Sequence, residues 1–143
     1  MSHMVARARD APATPALLLD LQAVQSRLRS TMSPHNWTGY EVFWKCPKSK
    51  NDYAEIVHWD GTIGNWTSLQ RFAGPQYGVG DGDIVEATIV GNLITGLING
   101  AEVISTTDGT YAEGSPGVGF NFYVGETNVD HGFTSFEVDT WND

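Results

Sequence analysis

Hydrophobic and polar residues alternate along much of the chain after residue 36. In residues 40–46 every second position is apolar or aromatic, namely Tyr40, Val42, Trp44 and Cys46. Successive side chains of a β-strand point to opposite faces of a sheet, so a period of two predicts a strand here. Residues 53–59, which are rich in β-branched and aromatic side chains, predict a second strand that ends at the turn dipeptide Asp60-Gly61, and residues 66–72 predict a third.

The second half of the chain contains the clearest hairpin signals. Residues 83–90 alternate apolar and polar side chains, turn at Gly91-Asn92 and return along residues 93–98. Asn99-Gly100 then predicts a tight hairpin turn into residues 101–105. With segments 117–123 and 133–141, the chain has eight or nine predicted strands, spaced by about ten residues, which indicates an antiparallel β-sandwich or barrel.

The N-terminal part of the chain is less regular. Met1-Ser2-His3-Met4 looks like a cloning remnant, and residues 5–15 predict a flexible lead-in because they mix Ala, Arg and Pro. Residues 16–32 allow two interpretations, a helix with apolar residues at helical spacing (Leu17, Leu21, Val24 and Leu28) or a strand from Val24 to Met32. We therefore predict a single domain over residues 16–143 that begins with a short helix or irregular segment.

Composition narrows the classes of function. The formal net charge is −9 and only eight residues are Lys or Arg, which argues against a nucleic-acid partner. A single cysteine, Cys46, excludes an intramolecular disulfide and is expected to be a buried apolar residue. No apolar run is long enough for membrane insertion. Residues 16–19 lack the features of a signal peptide, so an export signal would lie outside this sequence.

Several segments together resemble a known fold family. Residues 82–108 (G-D-I-V-E-A-T-I-V-G-N-L-I-T-G-L-I-N-G-A-E-V-I-S-T-T-D), 114–120 (G-S-P-G-V-G-F) and 132–138 (G-F-T-S-F-E-V) resemble the late strands of concanavalin A-like, laminin-G-like domains of bacterial secreted proteins. Residues 38–44 and 53–61 are similar to the middle strands of the same lectin/glucanase family. The resemblance covers about residues 26–143. It implies an all-β antiparallel jelly-roll β-sandwich and an extracellular or cell-surface location.

The resemblance leaves one difference at the N-terminus. Such domains usually carry about two further strands before the point at which the resemblance begins. An unpaired sheet edge would favour pairing with another chain, so we predict a homo-oligomer. We also expect Gly91 and Gly100 to adopt positive φ at the hairpin turns, and Gly117 and Gly119 to let another chain segment lie close.

The motifs of catalysis in this fold are missing or incomplete. Retaining glucanases of the fold carry an E-x-D-x-x-E strand, whereas Glu137-Val138-Asp139 lacks the third acid. Tyr53, His58 and Arg71 are residue types that a polysaccharide lyase uses, but Tyr53 and His58 are an odd number apart and should point to opposite faces. We therefore predict no catalytic residues and a protein that is not an enzyme.

Metal-binding patterns are equally weak. The histidines His35, His58 and His131 lack ligand spacing. The loop carboxylates Asp81, Asp83, Asp108 and Asp130 could hold a structural calcium ion, but they form no D-x-D-x-D-G pattern and are more typical of turns. We therefore predict no cofactor and no metal site.

The tryptophans and their neighbours provide the strongest indication of a ligand. Trp37, Trp44, Trp59, Trp66 and Trp141 are many for this length, and sugar-binding sites combine aromatic faces with polar groups for the hydroxyls. Tyr53, Glu55, Val57 and Trp59 should share one strand face. The candidate carbohydrate-binding residues are Tyr53, Glu55, Trp59, Trp66 and Arg71. Alternatively, most of these aromatic residues fill the core.

Three hypotheses about function remain from the sequence. The first is a non-catalytic module of an extracellular protein that binds carbohydrate or another surface ligand. The second is a structural or interaction β-sandwich without a small ligand. The third is a degenerate or unusual glycan hydrolase or lyase, which would need polar groups that converge in one groove.

Overall fold

The computed structural model of the chain describes residues 2–10, 21–45, 50–80, 82–122 and 133–142. Ten strands and one short 3-10 turn lie within these residues. The strands are β1 (Ser2–Asp10), β2 (Leu21–Ser33), β3 (Asn36–Lys45), β4 (Tyr53–Thr62), β5 (Trp66–Ala73), β6 (Ile84–Val90), β7 (Leu93–Ile98), β8 (Ala101–Thr107), β9 (Ser115–Phe122) and β10 (Phe133–Asn142). The 3-10 turn, Pro75–Tyr77, follows β5.

The strands form two five-stranded antiparallel sheets. Sheet A has the order β10-β1-β6-β7-β8, and sheet B has the order β5-β4-β3-β2-β9. Hairpins join β6 to β7 and β7 to β8, and their turns contain Gly91 (φ 59°) and Gly100 (φ 81°), both in the left-handed region as expected. The prediction of an all-β jelly-roll sandwich is confirmed, and each strand predicted after residue 36 is present.

The core lies between the two sheets. Alternate residues of β3, Tyr40, Val42 and Trp44, are fully buried, and they face side chains of sheet A such as Ile94 and Ile104. The sheets come close at Gly96 of β7, where an added Cβ would lie 2.7 Å from Cγ1 of Val42. The two-residue period in the sequence therefore identifies the core face of β3 correctly. Trp44 belongs to this core.

The N-terminal residues up to Asp10 differ from the predicted flexible lead-in, whose residues 11–15 lie outside the described residues. Ser2–Asp10 forms β1, which pairs with β10 on one side and with β6 on the other. Its register places Met4, Ala6 and Ala8 opposite core positions of β6. The Ala- and Arg-rich sequence of this segment does not predict a strand. The segment is ordered by backbone pairing with two strands from the second half of the chain.

The ambiguous segment is resolved in favour of a strand over residues 21–33. Val24 and Leu28 are buried in the core, so the alternative of a helix is wrong for this part, while residues 16–20 lie outside the described residues. A separation of four places two residues on one face of a strand as well as of a helix. Pairing with β3 and β9 decides between the two, because it satisfies the backbone of β2 on both sides.

Strands β1 and β2 also change the argument for oligomerisation. The resemblance suggested that about two strands were missing, but β1 and β2 occupy interior positions in the two sheets. The outer strands are β10 and β8 in sheet A and β5 and β9 in sheet B. The homo-oligomer therefore remains a prediction, but missing N-terminal strands no longer support it. Cys46 lies outside the described residues, and within the described part of the chain no helix is long and apolar enough to cross a membrane.

Candidate functional site

The outer face of sheet B, opposite the core, carries a groove of about 280 Å³. Strand β4 supplies four consecutive outward side chains to it, because residues two apart on a strand share a face. Strands β2, β3 and β5 supply the rest. The lining residues are Gln25, Glu41, Phe43, Tyr53, Glu55, Val57, Trp59, Trp66 and Arg71.

The groove contains all five candidate residues that the sequence singled out. Tyr53, Glu55 and Trp59 lie on β4, and Trp66 and Arg71 lie on the neighbouring β5, directly opposite Trp59 and Glu55. Residues 66 and 71 are an odd number apart and would point to opposite faces of a regular strand. An irregularity in the pairing of β5, where Ile56 pairs with Gln70 but Val57 pairs with Ser68, brings both onto the outer face.

One side of the groove is a layered aromatic wall. Trp59 stacks on Trp37, with ring centroids 4.6 Å apart and planes at 16°, and the guanidinium of Arg27 lies 3.6 Å from the centroid of the Trp37 ring. Trp59 also donates a hydrogen bond of 3.0 Å from Nε1 to Oε2 of Glu41. Stacking and hydrogen bonding together fix the plane of Trp59, so this ring is held in place without a ligand.

The other side is built around Tyr53. The guanidinium of Arg71 lies 3.6 Å from the centroid of the Tyr53 ring, and Nη1 of Arg71 is 3.4 Å from Oε2 of Glu55. Phe43 stacks against Tyr53 at 5.3 Å. Arg71 thus has both an aromatic and a carboxylate partner, and among the described residues it is the one basic side chain that lines the groove.

Glu41 lies at the bottom of the groove and is only 3% exposed. Its pKa is raised from 4.5 to about 7, and burial is the main cause. The charge of Arg27 and the hydrogen bond from Trp59 lower this pKa in part, while the negative charge of Glu55 acts in the same direction as burial. Near neutral pH this carboxyl group therefore exists in both protonation states. The protonated carboxyl group can donate a hydrogen bond, and both the protonated and the ionised form can accept one.

The sequence did not single out Gln25, Glu41 or Phe43 as groove residues. Glu41 and Phe43 alternate with the core residues of β3, so their outward orientation could have been read from the pattern. Their contact with the groove depends on β3 lying beside β4. Gln25 belongs to the segment whose secondary structure the sequence left open.

The groups considered for other chemistry do not converge. His58 lies on the core face of β4, away from Tyr53, and its Nε2 is 3.6 Å from Oδ2 of Asp60. The two residues therefore point to opposite faces, as predicted. Trp37 is buried beneath Trp59, and Trp141 belongs to β10.

The loop carboxylates that the structure describes have structural partners. Asp83 accepts hydrogen bonds from the backbone N–H of Gly80 at 2.9 Å and from Nδ2 of Asn99 at 2.8 Å. Asp108 accepts one of 2.6 Å from the hydroxyl of Tyr40. Asp81, Asp130 and His131 lie outside the described residues. Within the described part of the chain, no group of three His, Cys, Asp or Glu side chains could hold a metal ion.

Comparisons with known proteins support the fold. No protein-family model and no curated protein sequence matches the chain. Among solved structures, it is similar to carbohydrate binding module CBM66 from Bacillus subtilis, with a TM-score of 0.62 and 14% identity over 99% of this chain and 73% of that one. It is also similar to sheep galectin-11 in complex with glycerol, with a TM-score of 0.58 and 12% identity over 98% of this chain and 90% of that one. The chain therefore has a β-sandwich fold similar to that of these proteins.

Proposed function

We propose that this chain is a non-catalytic module of an extracellular protein and that it binds a neutral carbohydrate in the groove on sheet B. The observation that carries the proposal is the groove itself, in which the aromatic rings of Tyr53, Trp59 and Trp66 surround the polar groups of Glu41 and Glu55. Aromatic faces pack on the apolar C–H faces of sugars, and carboxylates accept hydrogen bonds from hydroxyl groups.

The charges of the groove favour a neutral sugar over an acidic one. Among the described residues that line the groove, Glu41 and Glu55 are carboxylates and Arg71 is the one cation, which faces Glu55 at 3.4 Å. Lys45 lies farther out, with Nζ 5.8 Å from the centroid of the Tyr53 ring. A uronic acid or sulfated sugar would therefore meet two carboxylates in the groove, and the cation that lines it already faces one of them. The similar structures, a carbohydrate binding module and a galectin, support the class of ligand, and the resemblance to secreted domains supports the extracellular context.

The proposal is tested with the purified chain on a panel of immobilised plant, algal and bacterial polysaccharides, followed by titration calorimetry on those that bind. Trp66 lies at the rim of the groove and is 46% exposed. We expect Trp66→Ala to weaken binding at least tenfold, because the ring is a contact surface for the sugar and the fold does not need it; a tenfold loss corresponds to about 1.4 kcal/mol.

Phe72→Ala is the matched control. Phe72 lies on the same strand and is 40% exposed, but it pairs with Ala54 on the opposite face and contacts Tyr77. Its loss should leave the affinity unchanged. Equal effects of the two substitutions would contradict the location of the site. No binding across the panel would favour the alternative of a structural or interaction domain.

A second candidate function, hydrolysis of the bound glycan, has one observation in its favour. Glu41 and Glu55 line the same groove, and the pKa of Glu41 is raised to about 7, which is the property that a general acid needs. Release of new reducing ends from a bound polysaccharide, lost in Glu41→Gln, would support this function. A bound polysaccharide that keeps its length over prolonged incubation would support the binding module.

A further inference from the structure

A second cavity of about 390 Å³ lies at the junction of β2 and β9. None of the described residues lines both this cavity and the groove. Strand β2 contributes Arg27, Ser30, Thr31 and Met32 to the second cavity, and Gly114 together with the first residues of β9, up to Gly117, contributes the rest of its lining. The side chain of Arg27 lies on the outer face of sheet B, because its guanidinium covers the ring of Trp37. The second cavity and the groove therefore open on the same face of the protein.

Arg27 lies between the groove and the second cavity. Its Nη2 donates a hydrogen bond of 3.3 Å to Oε1 of Gln25, which lines the groove, while Arg27 itself lines the second cavity. Its guanidinium stacks on the far side of Trp37 from Trp59. One continuous layer of side chains thus runs from the groove wall to the second cavity, and a ligand that leaves the groove past Gln25 reaches the second cavity next.

Two outward positions of strand β9 are glycines. Gly117 pairs with Arg27 and Gly119 pairs with Gln25, so the two outward positions of β9 that border these residues have no side chains. The sequence suggested that another chain segment would lie close to these glycines. This holds at Gly119, where an added Cβ would lie 3.1 Å from Oε1 of Gln25, while the second cavity lies beside Gly117. Five strands spaced by about 4.8 Å give a face roughly 19 Å across, which is wide enough for several sugar rings in a row.

The chemistry of the second cavity suits a sugar. Ser30 and Thr31 are the hydroxyl residues of its lining, and the hydroxyl of Ser30, which donates to the carbonyl of Leu28 at 3.4 Å, can still accept a hydrogen bond. Arg27 provides a guanidinium, whose Nη1 lies 3.3 Å from Sδ of Met32, and Met32, which is 63% exposed, provides an apolar surface. None of the described residues that line this cavity is a carboxylate. Hydroxyl and guanidinium groups bond sugar oxygens, and a flexible thioether adapts to an irregular apolar surface.

From this arrangement we infer that the second cavity is a further sugar subsite, so that the ligand is a glycan chain lying across the strands of sheet B rather than a single terminal sugar. The inference rests on the proposed function of the groove. It assigns Arg27, Ser30, Thr31 and Met32 to the recognition of sugars that extend beyond the groove. The affinity for a glycan must then increase with the length of the glycan until it fills both the groove and the second cavity.

The test is a length series of oligosaccharides, one to six sugars long, prepared from each polysaccharide that the wild-type chain binds. Calorimetry should show an affinity that rises at least tenfold from the shortest oligosaccharide that binds to the longest. Gly117→Leu should abolish most of this rise and leave the affinity for the shortest one unchanged. The leucine side chain fills the second cavity, and an added Cβ at Gly117 meets only Arg27, at an ordinary contact distance of 3.6 Å.

Two further variants make the test decisive. Thr107→Leu, on the exposed outer strand β8 of the other sheet, adds the same side chain away from both depressions and should behave as wild type. Met32→Ala truncates a side chain that is largely exposed, so it keeps the test valid if Gly117→Leu fails to fold. We expect it to weaken binding of the long oligosaccharides by at least threefold and to spare the short ones.

The outcomes separate the two proposals. An affinity that does not change with length, or a length dependence that persists in Gly117→Leu and Met32→Ala, overturns the second subsite and leaves the groove intact. Absence of binding by wild type to every polysaccharide overturns both. If affinity rises strongly with oligosaccharide length, and only the variants of the second cavity remove this rise, the glycan chain binds across both the groove and the second cavity.

Discussion

The buried carboxyl group of Glu41 should make the stability of this protein fall as the pH rises. Burial at 3% exposure raises its pKa from the ordinary 4.5 to about 7 in the folded chain. Between these two pH values the folded state retains a proton that the unfolded state has released. Ionisation of Glu41 therefore opposes folding, and the stability that is fully present below pH 4.5 is lost as the pH rises to 7.

The size of the effect follows from the shift in pKa. Each unit of pKa corresponds to about 1.4 kcal/mol, so the rise from 4.5 to about 7 amounts to about 3 kcal/mol of free energy of unfolding. Glu41→Gln keeps a side-chain oxygen that can accept the hydrogen bond from Trp59, but it cannot ionise. The substitution should therefore have its most stabilising effect, relative to wild type, above pH 7.

The assay is urea unfolding followed by tryptophan fluorescence at pH 4 and pH 8. The difference in free energy of unfolding between Glu41→Gln and wild type should increase by about 3 kcal/mol from the lower to the higher pH. Taking this difference cancels the titration of groups that do not interact with Glu41. Glu113→Gln, which removes an exposed carboxylate, is the control and should give a difference that changes little with pH. A pH-independent difference for Glu41→Gln would refute the reasoning.

Two further predictions concern the core and its polar edge, both measured by urea unfolding. Gly96→Ala places a methyl group 2.7 Å from Cγ1 of Val42 and should cost about 1–3 kcal/mol by overpacking; an unchanged stability would mean that the sheets can move apart there. Tyr40→Phe removes a hydroxyl that donates to Asp108 at 2.6 Å and accepts from the backbone N–H of Tyr111 at 3.0 Å, so we expect a loss of about 1–3 kcal/mol. A loss below about 0.5 kcal/mol would show that water replaces these bonds.

Much of the secondary structure is a local property of the chain. In β6 the alternation of apolar and polar side chains identifies both the strand and its core face, since one face must be buried and the other need not be. Asn99 and Gly100 adopt the positive φ that a tight hairpin turn requires (52° and 81°), and residues able to adopt it are few. Such features can be predicted from a short stretch of sequence.

The N-terminal strands could not be predicted in the same way. β1 carries no strand pattern, and the spacing of Val24 and Leu28 in β2 fits a helix as well as a strand. Both segments become strands because each lies between two partners that are distant in the sequence, β6 and β10 for β1, β3 and β9 for β2. The backbone hydrogen bonds that decide their structure belong to the partners as much as to the segments.

For the candidate site, the sequence by itself determined which residues of β4 share a face, because that follows from the two-residue period of any strand. Only the tertiary structure decided that Glu41 and Gln25 join them, and that Trp66 and Arg71 point the same way despite their odd spacing. The order of strands in a sheet and the irregularities in their pairing depend on contacts between distant parts of the chain. A groove built across four strands is therefore a property of the folded sheet, which no single segment contains.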